Sequence, residues 1–503
     1  MLRLFCLLSL LPVFGQAQPD SLSETLVRRP ASITAEIGGS AATSQQTPFW
    51  LRANRFGIVP ITNPFGFVRF SSARTFSWGR KSWFSLDYGV EVVGTVSPST
   101  AYQPARQVLL PEGYGRIRLD RFELVAGRRK QIIGIVDTLL TSGSYSNSGN
   151  ALPIPQIRFG TTGFVSVPFT HDLLAFHAFF AHGWFGNADS VRNSFLHQKA
   201  LYVRFGKSTW PVRLYGGLVH NAQWGGQATR PNWGIVSGGQ LPSSVKDYWY
   251  VITSRQPDSI QTATYTEYDG LNRFGNHLGS WDFAAEITGR QATWLVYLQH
   301  PFEDKSGLIW LNAPDALYGL SWRSRSERGL RSRGFNLRRI TLEYLDTRRE
   351  SDRASTQALG GYDGNDDYFN NGQYADGWTY RYRTIGTPFL TPRSETTVVN
   401  YGGPGTFRKA IVNNRVQVMH VGLLAALFQQ TTVRGLVSIS KNYGRFGKSA
   451  QDGRGIWQSS LLLEISQPVS WLGGTRLKAA IAADKGVLLP DGVGSYLSLQ
   501  KTW

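Results

Sequence analysis

Apolar and polar residues alternate along most of this 503-residue chain. Phe84, Leu86, Tyr88, Val90 and Val92 are interleaved with Ser85, Asp87, Gly89 and Glu91. Within Tyr114 to Asp120, Gly115, Ile117 and Leu119 alternate with Arg116, Arg118 and Asp120. Leu201, Val203 and Phe205 alternate with Tyr202 and Arg204, and Val212, Leu214, Gly216 and Leu218 with Arg213, Tyr215 and Gly217. Trp281, Phe283, Ala285 and Ile287 oppose Asp282 and Glu286, while Ile340, Leu342 and Tyr344 oppose Arg339, Thr341 and Glu343. Val433, Gly435, Val437 and Ile439 carry the theme towards the C-terminus. Successive side chains of a strand point to opposite faces, so this period predicts strands with one apolar and one polar face. Such segments recur with no helical pattern between them and no evident repeat of roughly 20–50 residues, which argues against a propeller or solenoid.

A soluble β-sandwich alternates too, so the period leaves the solvent open. Composition shifts the balance: 13% of residues are aromatic, 54 are glycine and 16 are tryptophan, yet mean hydropathy is only −0.23. Beyond the N-terminal region the longest apolar run is Val421 to Phe428, far short of the roughly 20 residues a spanning helix needs. An all-β, transmembrane antiparallel barrel accounts for this, with its apolar face against lipid. Its inner face is expected to meet water, without a buried apolar core. The last strand agrees: Leu497, Leu499 and Trp503 share one face, and the chain stops on an aromatic, as bacterial outer-membrane barrels commonly do. Lys501 interrupts that face, where a lysine can snorkel to the interface.

The first residues predict export. Arg3, the apolar stretch Leu4 to Phe14 and the small-x-small Gly15-Gln16-Ala17 form a signal peptide cleaved after Ala17, leaving 18–503 as the barrel domain. Cys6, the only cysteine, lies inside the apolar stretch, so the mature chain is expected to carry no disulfide and no cysteine metal site. Net charge is +19, or +18 without Arg3, which suggests an anionic partner. Nucleic acid does not suit an exported protein. Lipopolysaccharide phosphates or an acidic polysaccharide do, and arginines lining a wet lumen would explain the excess equally well. Arg116, Arg118, Arg204 and Arg213 sit on polar strand faces and would give that lumen its positive potential.

Candidate chemistry is sparse. There is no G-x-S-x-G, H-E-x-x-H or P-loop motif, so no enzyme, cofactor or metal is expected. The eight histidines are scattered. His177 and His182, five apart on a strand, point to opposite faces, and His220 beside Trp224 suits a hydrogen-bonded structural role. Asp363, Asp366 and Asp367 lack calcium-loop spacing and read as solvated loop acids. The long polar stretches Gln223 to Asn276 and Thr347 to Val412 are placed outside the cell, since such barrels keep short turns inside and long loops outside. Ser142 to Pro155 is a third irregular stretch, and Asp20 to Arg29 a short helix. Tyr362, Tyr368, Phe369, Tyr374, Trp378, Tyr380 and Tyr382 crowd one region with Asp, Asn and Arg. Sugar C–H faces pack on aromatic planes and sugar hydroxyls need forked polar partners, so the region suits carbohydrate. Packing of the loop on itself or an interfacial girdle is the alternative.

Thr47-Pro48-Phe49-Trp50-Leu51 followed by Ala53-Asn54-Arg55-Phe56-Gly57 resembles the N-terminal signature of the capsule-assembly Wzi family, in the form found in Bacteroidetes. Gly149 to Pro155, His300 to Gly307, Pro314 to Gly319 and Asp367 to Asn371 are similar to further stretches of that family. So are Gly377 to Tyr380, Gly386 to Pro388 and Ala483 to Gly486. The resemblance implies an outer-membrane barrel of about 18 strands, at roughly 27 residues per strand and connection. It also implies a small periplasmic helical element, for which only Asp20 to Arg29 is suitable. The implied function is a non-catalytic surface lectin that attaches capsular polysaccharide or exopolysaccharide to a Gram-negative outer membrane. Trp378, Tyr380, Tyr368, Asp367 and Trp224 are the candidate carbohydrate contacts. The rival reading is a porin-like channel for anions or oligosaccharides, which an open lumen would favour and a plugged one would not.

Overall fold

The structure is a computed structural model and describes residues 32–78, 83–187, 190–229, 239–257, 265–266, 269, 273–325, 334–350, 366–396, 410–428, 430–445, 448–449 and 453–503. The expected signal peptide, the helix Asp20 to Arg29, Tyr362 and Asp363 lie outside these residues. Eighteen antiparallel strands close into a barrel. In chain order they are β1 (Ser32–Ala42), β2 (Phe65–Trp78), β3 (Phe84–Val96), β4 (Arg106–Leu119), β5 (Phe122–Arg128) and β6 (Gln156–Thr161). There follow β7 (Leu174–Gly186), β8 (Ser194–Phe205), β9 (Val212–Trp224), β10 (Asn276–Thr288), β11 (Ala292–Phe302) and β12 (Ala316–Ser324). The ring is completed by β13 (Phe335–Asp346), β14 (Val416–Leu427), β15 (Thr431–Asn442), β16 (Ile456–Val469), β17 (Thr475–Gly486) and β18 (Gly492–Thr502). A two-residue strand, Val165–Ser166, extends β6 along β7. β18 closes on β1 with Ile37 opposite Leu499, and the Trp503 N–H donates to Ile33 O at 2.9 Å.

Each strand pairs with its sequence neighbour, so the connections alternate between two ends. One end carries short turns such as 120–121 and 289–291. At the two-residue turn, Asp120 takes the left-handed φ of 50°, which a short polar side chain tolerates. The other, here the loop end, carries the long connections 43–64, 129–155, 225–275 and 347–415. Among the described residues no helix is long and apolar enough to cross a membrane.

The alternation sorts the faces as expected. Leu86, Val90, Leu201, Val203, Leu214, Phe283, Val437 and Leu497 are exposed on the outer wall, while Asp87, Glu91, Asp282, Thr341 and Glu343 are buried inside. The expectation of a wet, coreless interior is corrected. Phe49, Trp50, Ile135, Leu140, Tyr145, Leu152, Tyr368, Trp378 and Leu390 form a buried apolar cluster with inward residues such as Phe179, Tyr297 and Leu462. Connections from the loop end fold inward and fill the space, which a soluble-type core then stabilises.

Candidate functional site

Three segments build the filling. From 43–64 comes a single helical turn, α1 (Phe49–Arg52). Its first N–H donates to the Asp484 carboxylate of β17 at 2.8 Å, and Trp50 packs on His420 of β14 at 5.1 Å between ring centres. Arg52 pairs with Glu395, both almost wholly buried; burial lowers its pKa to about 10. A few residues on, Arg55 reaches Glu464 of β16 at 2.5 Å.

The second segment, 129–155, is rich in serine, glycine and asparagine, and its short side chains leave backbone groups for the barrel wall to satisfy. Ile135 N–H donates to Asp282 at 3.0 Å and Tyr145 N–H to Gln299 at 2.9 Å. Thr141 Oγ1 and Ser142 N–H both donate to Glu343, at 2.7 and 2.5 Å, and the Tyr297 hydroxyl joins them. Asp137 pairs with Arg339 at 3.2 Å and accepts from Ser321 at 2.6 Å. Leu140 lies so close to Gly422 that a Cβ there would stand 2.7 Å from the leucine Cβ. Inward carboxylates therefore act as acceptors for a folded-in chain. A buried polar group left unmet costs about 1–3 kcal/mol, so these contacts define where the segment can sit.

The third segment, 366–395, contains four of the five predicted carbohydrate contacts. Trp378 is fully buried and its indole N–H donates to Ser146 O at 2.7 Å. Tyr368, equally buried, donates its hydroxyl to Asp315 at 2.9 Å and accepts from Asn312 at 2.8 Å. Tyr380 lies beneath the Arg128 guanidinium, 5.5 Å from its ring centre, and its hydroxyl accepts from Arg128 at 2.8 Å. Asp367 is held by Arg445 at 2.8 Å and Asn414 at 2.7 Å. The fifth residue, Trp224, is elsewhere, on the outer wall against Tyr248 at 4.9 Å. The three ring systems of Trp378, Tyr368 and Tyr380 hold the filling together and offer no open face.

Aromatic surface at the loop end lies instead where Tyr102 meets Tyr382, 5.4 Å apart and edge to face. Tyr382 and the exposed Arg381 form the tip of the hairpin joining Thr379–Tyr380 to Arg383–Thr384. Both take left-handed φ values, 64° and 49°. Such a turn favours Asn-Gly, and each non-glycine residue there costs about 1–2 kcal/mol. Backbone strain of this kind collects at functional positions. Tyr102 was missed in the sequence because it sits in a short connection far from the aromatic-rich stretch.

The four arginines expected to charge the lumen do point inward, each beside a carboxylate. Arg116 bonds Asp87 at 2.7 Å and Glu123 at 3.3 Å, and Arg118 lies 3.6 Å from Asp87. Arg204 meets Asp172 at 2.5 Å, and Arg213 meets Glu286. The paired carboxylates offset much of the positive potential that the arginines alone would give.

The reading of Asp366 and Asp367 as solvated loop acids is corrected. Asp366 is 6% exposed, and Asp367 is half-buried in the contacts above. Nearby, the Glu303 carboxylate accepts from Phe369 N–H at 2.6 Å, and burial holds its pKa well above the usual range. Burial likewise lifts Asp315 to about 7. The histidines are less scattered than they look: His182, His197, His220, His277 and His300 all lie on outward positions of β7–β11. His220 Nε2 is 2.9 Å from His277 Nδ1. Among the described residues no cluster of three or more metal-ligating side chains forms. His177 and His182 do face opposite ways, the former stacked on inward Tyr202 and the latter against Tyr248.

Several of the short motifs quoted above, distant in sequence, meet at the filling. Phe56 N–H donates to Gly149 O at 2.6 Å and Asn54 N–H to Asn150 at 3.2 Å. Phe369 binds Glu303, Tyr368 binds Asp315, and Ser148 Oγ donates to Gly386 O at 2.6 Å.

Fold and filling together define an eighteen-stranded barrel of the outer-membrane type with an occupied lumen. The chain matches no family model and no curated relative by sequence. Among solved structures it is similar to Wzi, an outer membrane protein involved in group 1 capsule assembly in Escherichia coli and a carbohydrate binding beta-barrel. The TM-score is 0.56 at 14% identity, covering 94% of this chain and 84% of that one. It is more weakly similar to OccAB4 of Acinetobacter baumannii, with a TM-score of 0.45 and 9% identity over 95% and 98% of the two chains. At these identities the likeness speaks for the fold.

Proposed function

We propose that this chain is a Wzi-type protein of a Gram-negative outer membrane, which holds capsular or exopolysaccharide at the cell surface without catalysis. The loop end faces outward in this reading, with lipid and lipopolysaccharide around the wall. The observation that carries it is the filling: several of the segments that resemble the Wzi family, among them 53–57, 149–155, 367–371, 377–380 and 386–388, pack against one another or against the barrel wall there. Such packing holds the rim in a fixed position, and a filled lumen suits a binding platform better than a channel. Tyr102, Tyr382 and Arg381 are the contacts we assign to the polymer, by ring stacking and hydrogen bonding to an acidic sugar. Weak contacts repeated along a polymer multiply into firm attachment.

Deleting the gene should release polysaccharide into the medium while synthesis continues, and restoring the chain with Arg381→Ala and Tyr382→Ala should leave retention impaired. Unchanged surface retention in the deletion strain would overturn the proposal. Planar-bilayer recordings supply the second check, because steady conductance through the intact protein would favour a channel.

A further inference from the structure

Over β7–β9 the outer wall is not bare. Helix α2 (Val245–Thr253), from the connection 225–275, lies against the outside of β7–β9. Ser244 caps it, accepting from Asp247 N–H at 3.2 Å while the Asp247 carboxylate accepts from Ser244 N–H at 2.6 Å. Its inner side carries Tyr248, stacked on Trp224 and edge-on to His182 and His197, with Tyr250 and Val251 buried. Lys199 donates to Ile252 O, and Ser254 Oγ lies 3.1 Å from His220.

The height of this helix is informative. Lys199 is the outward residue immediately before Leu201 on β8, so α2 sits about 7 Å along the strand from exposed wall. That wall is apolar: Leu201, Val203, Leu214 and Phe283 are 52%, 41%, 48% and 42% exposed. Without the helix, His197, His220 and Lys199 would face hydrocarbon, where unmet polar groups are costly. The helix turns a different face outward. Val245 and Trp249, one turn apart, are 89% and 57% exposed. Farther round the same wall, over β10 and β11 and next to helix α3 (Lys305–Leu308), Ile309 and Trp310 are 49% and 38% exposed. The Trp310 ring lies flat on His300 at 3.9 Å and 6.1 Å from Phe283 of the wall.

We infer that α2 and the Ile309–Trp310 turn form an apolar shelf on the outer wall that lies in the bilayer interface at the loop end. Its occupant is the lipid leaflet itself, because the shelf continues the exposed belt on the same strands. An amphipathic segment with tryptophan on its apolar face is suited to that depth. The shelf lets polar wall positions exist at membrane height by covering them and handing the lipid a new surface.

Single cysteines at Val245→Cys and Trp249→Cys, in the Cys6→Ser chain, would carry nitroxide labels. The full barrel is reconstituted in phosphatidylethanolamine–phosphatidylglycerol vesicles, and heat-modified gel migration confirms folding. Leu201→Cys serves as the lipid reference and Arg381→Cys as the water reference. At both shelf positions the ratio of oxygen to nickel-chelate accessibility should match Leu201→Cys and exceed Arg381→Cys several-fold. Nickel access equal to that at Arg381→Cys would place the shelf in water and overturn the inference. Protection from both reagents would also overturn it, by showing that protein, such as a second copy of this chain, covers the face.

Discussion

Two connections leave the same end of this barrel and go opposite ways. Residues 129–155 turn into the lumen, whereas α2 and its flanks turn over the outer wall. The inward segment is short-side-chained and exposes backbone N–H groups, which Asp282, Gln299 and Glu343 of the inner wall accept. The outward segment is amphipathic and aromatic, and lands on a wall patch of histidine, lysine and tryptophan. Each connection goes where the strand residues complement it. The difference teaches that a barrel strand's polar positions report on what folds against them, and not only on water.

The largest effect should come from the inward side. Trp378→Ala removes a fully buried indole and its bond to Ser146 O, which should destabilise the filling by about 3–5 kcal/mol. Chemical unfolding would read the loss, and planar-bilayer recordings should reveal new conductance. A stable, silent variant would break the comparison by making the filling dispensable.

Next is a pH effect. Asp315 binds its proton more tightly in the folded filling, near pH 7, than when unfolded, near pH 4. Its contribution is therefore complete below about pH 4 and is lost as pH rises through about 7. Glu303 and Glu350 are pushed the same way, chiefly by burial. Resistance of the loop end to protease should fall across that window, and Asp315→Asn should flatten the fall.

Smaller again, Tyr248→Ala strips the stack on Trp224 and should loosen α2 by about 2 kcal/mol, read as faster amide exchange over 245–253 with the strands unchanged. Smallest, Trp249→Ala should alter unfolding in detergent by no more than about 0.5 kcal/mol. A large loss there would mean that Trp249 packs against protein instead of facing outward.

The strand faces were legible because a period of two is a local property: Leu86 and Asp87 declare opposite sides whatever surrounds them. Closure was legible in part from Leu497, Leu499 and Trp503, which β1 does meet. The resemblance motifs pointed to positions that matter, but read as loop residues they suggested a sugar surface. Trp378 and Tyr368 have the composition of a binding site and the placement of a core. Nothing in an aromatic-rich stretch says whether its rings face solvent or one another, since both uses favour the same side chains. Trp224 was grouped with them by residue type, and strand pairing puts it on the other side of the wall.

The sequence by itself determined an all-β chain with two-faced strands, long connections in particular places and no recognisable catalytic motif. Only the tertiary structure decided that the lumen is filled, that five histidines share one flank, and that Arg116, Arg118, Arg204 and Arg213 are matched by carboxylates. The reason is reach. Alternation is set between adjacent residues, whereas Ser142 meets Glu343 across 201 positions and Arg52 meets Glu395 from opposite parts of the chain. Such pairs exist only once the ring has closed and brought its connections to a common end.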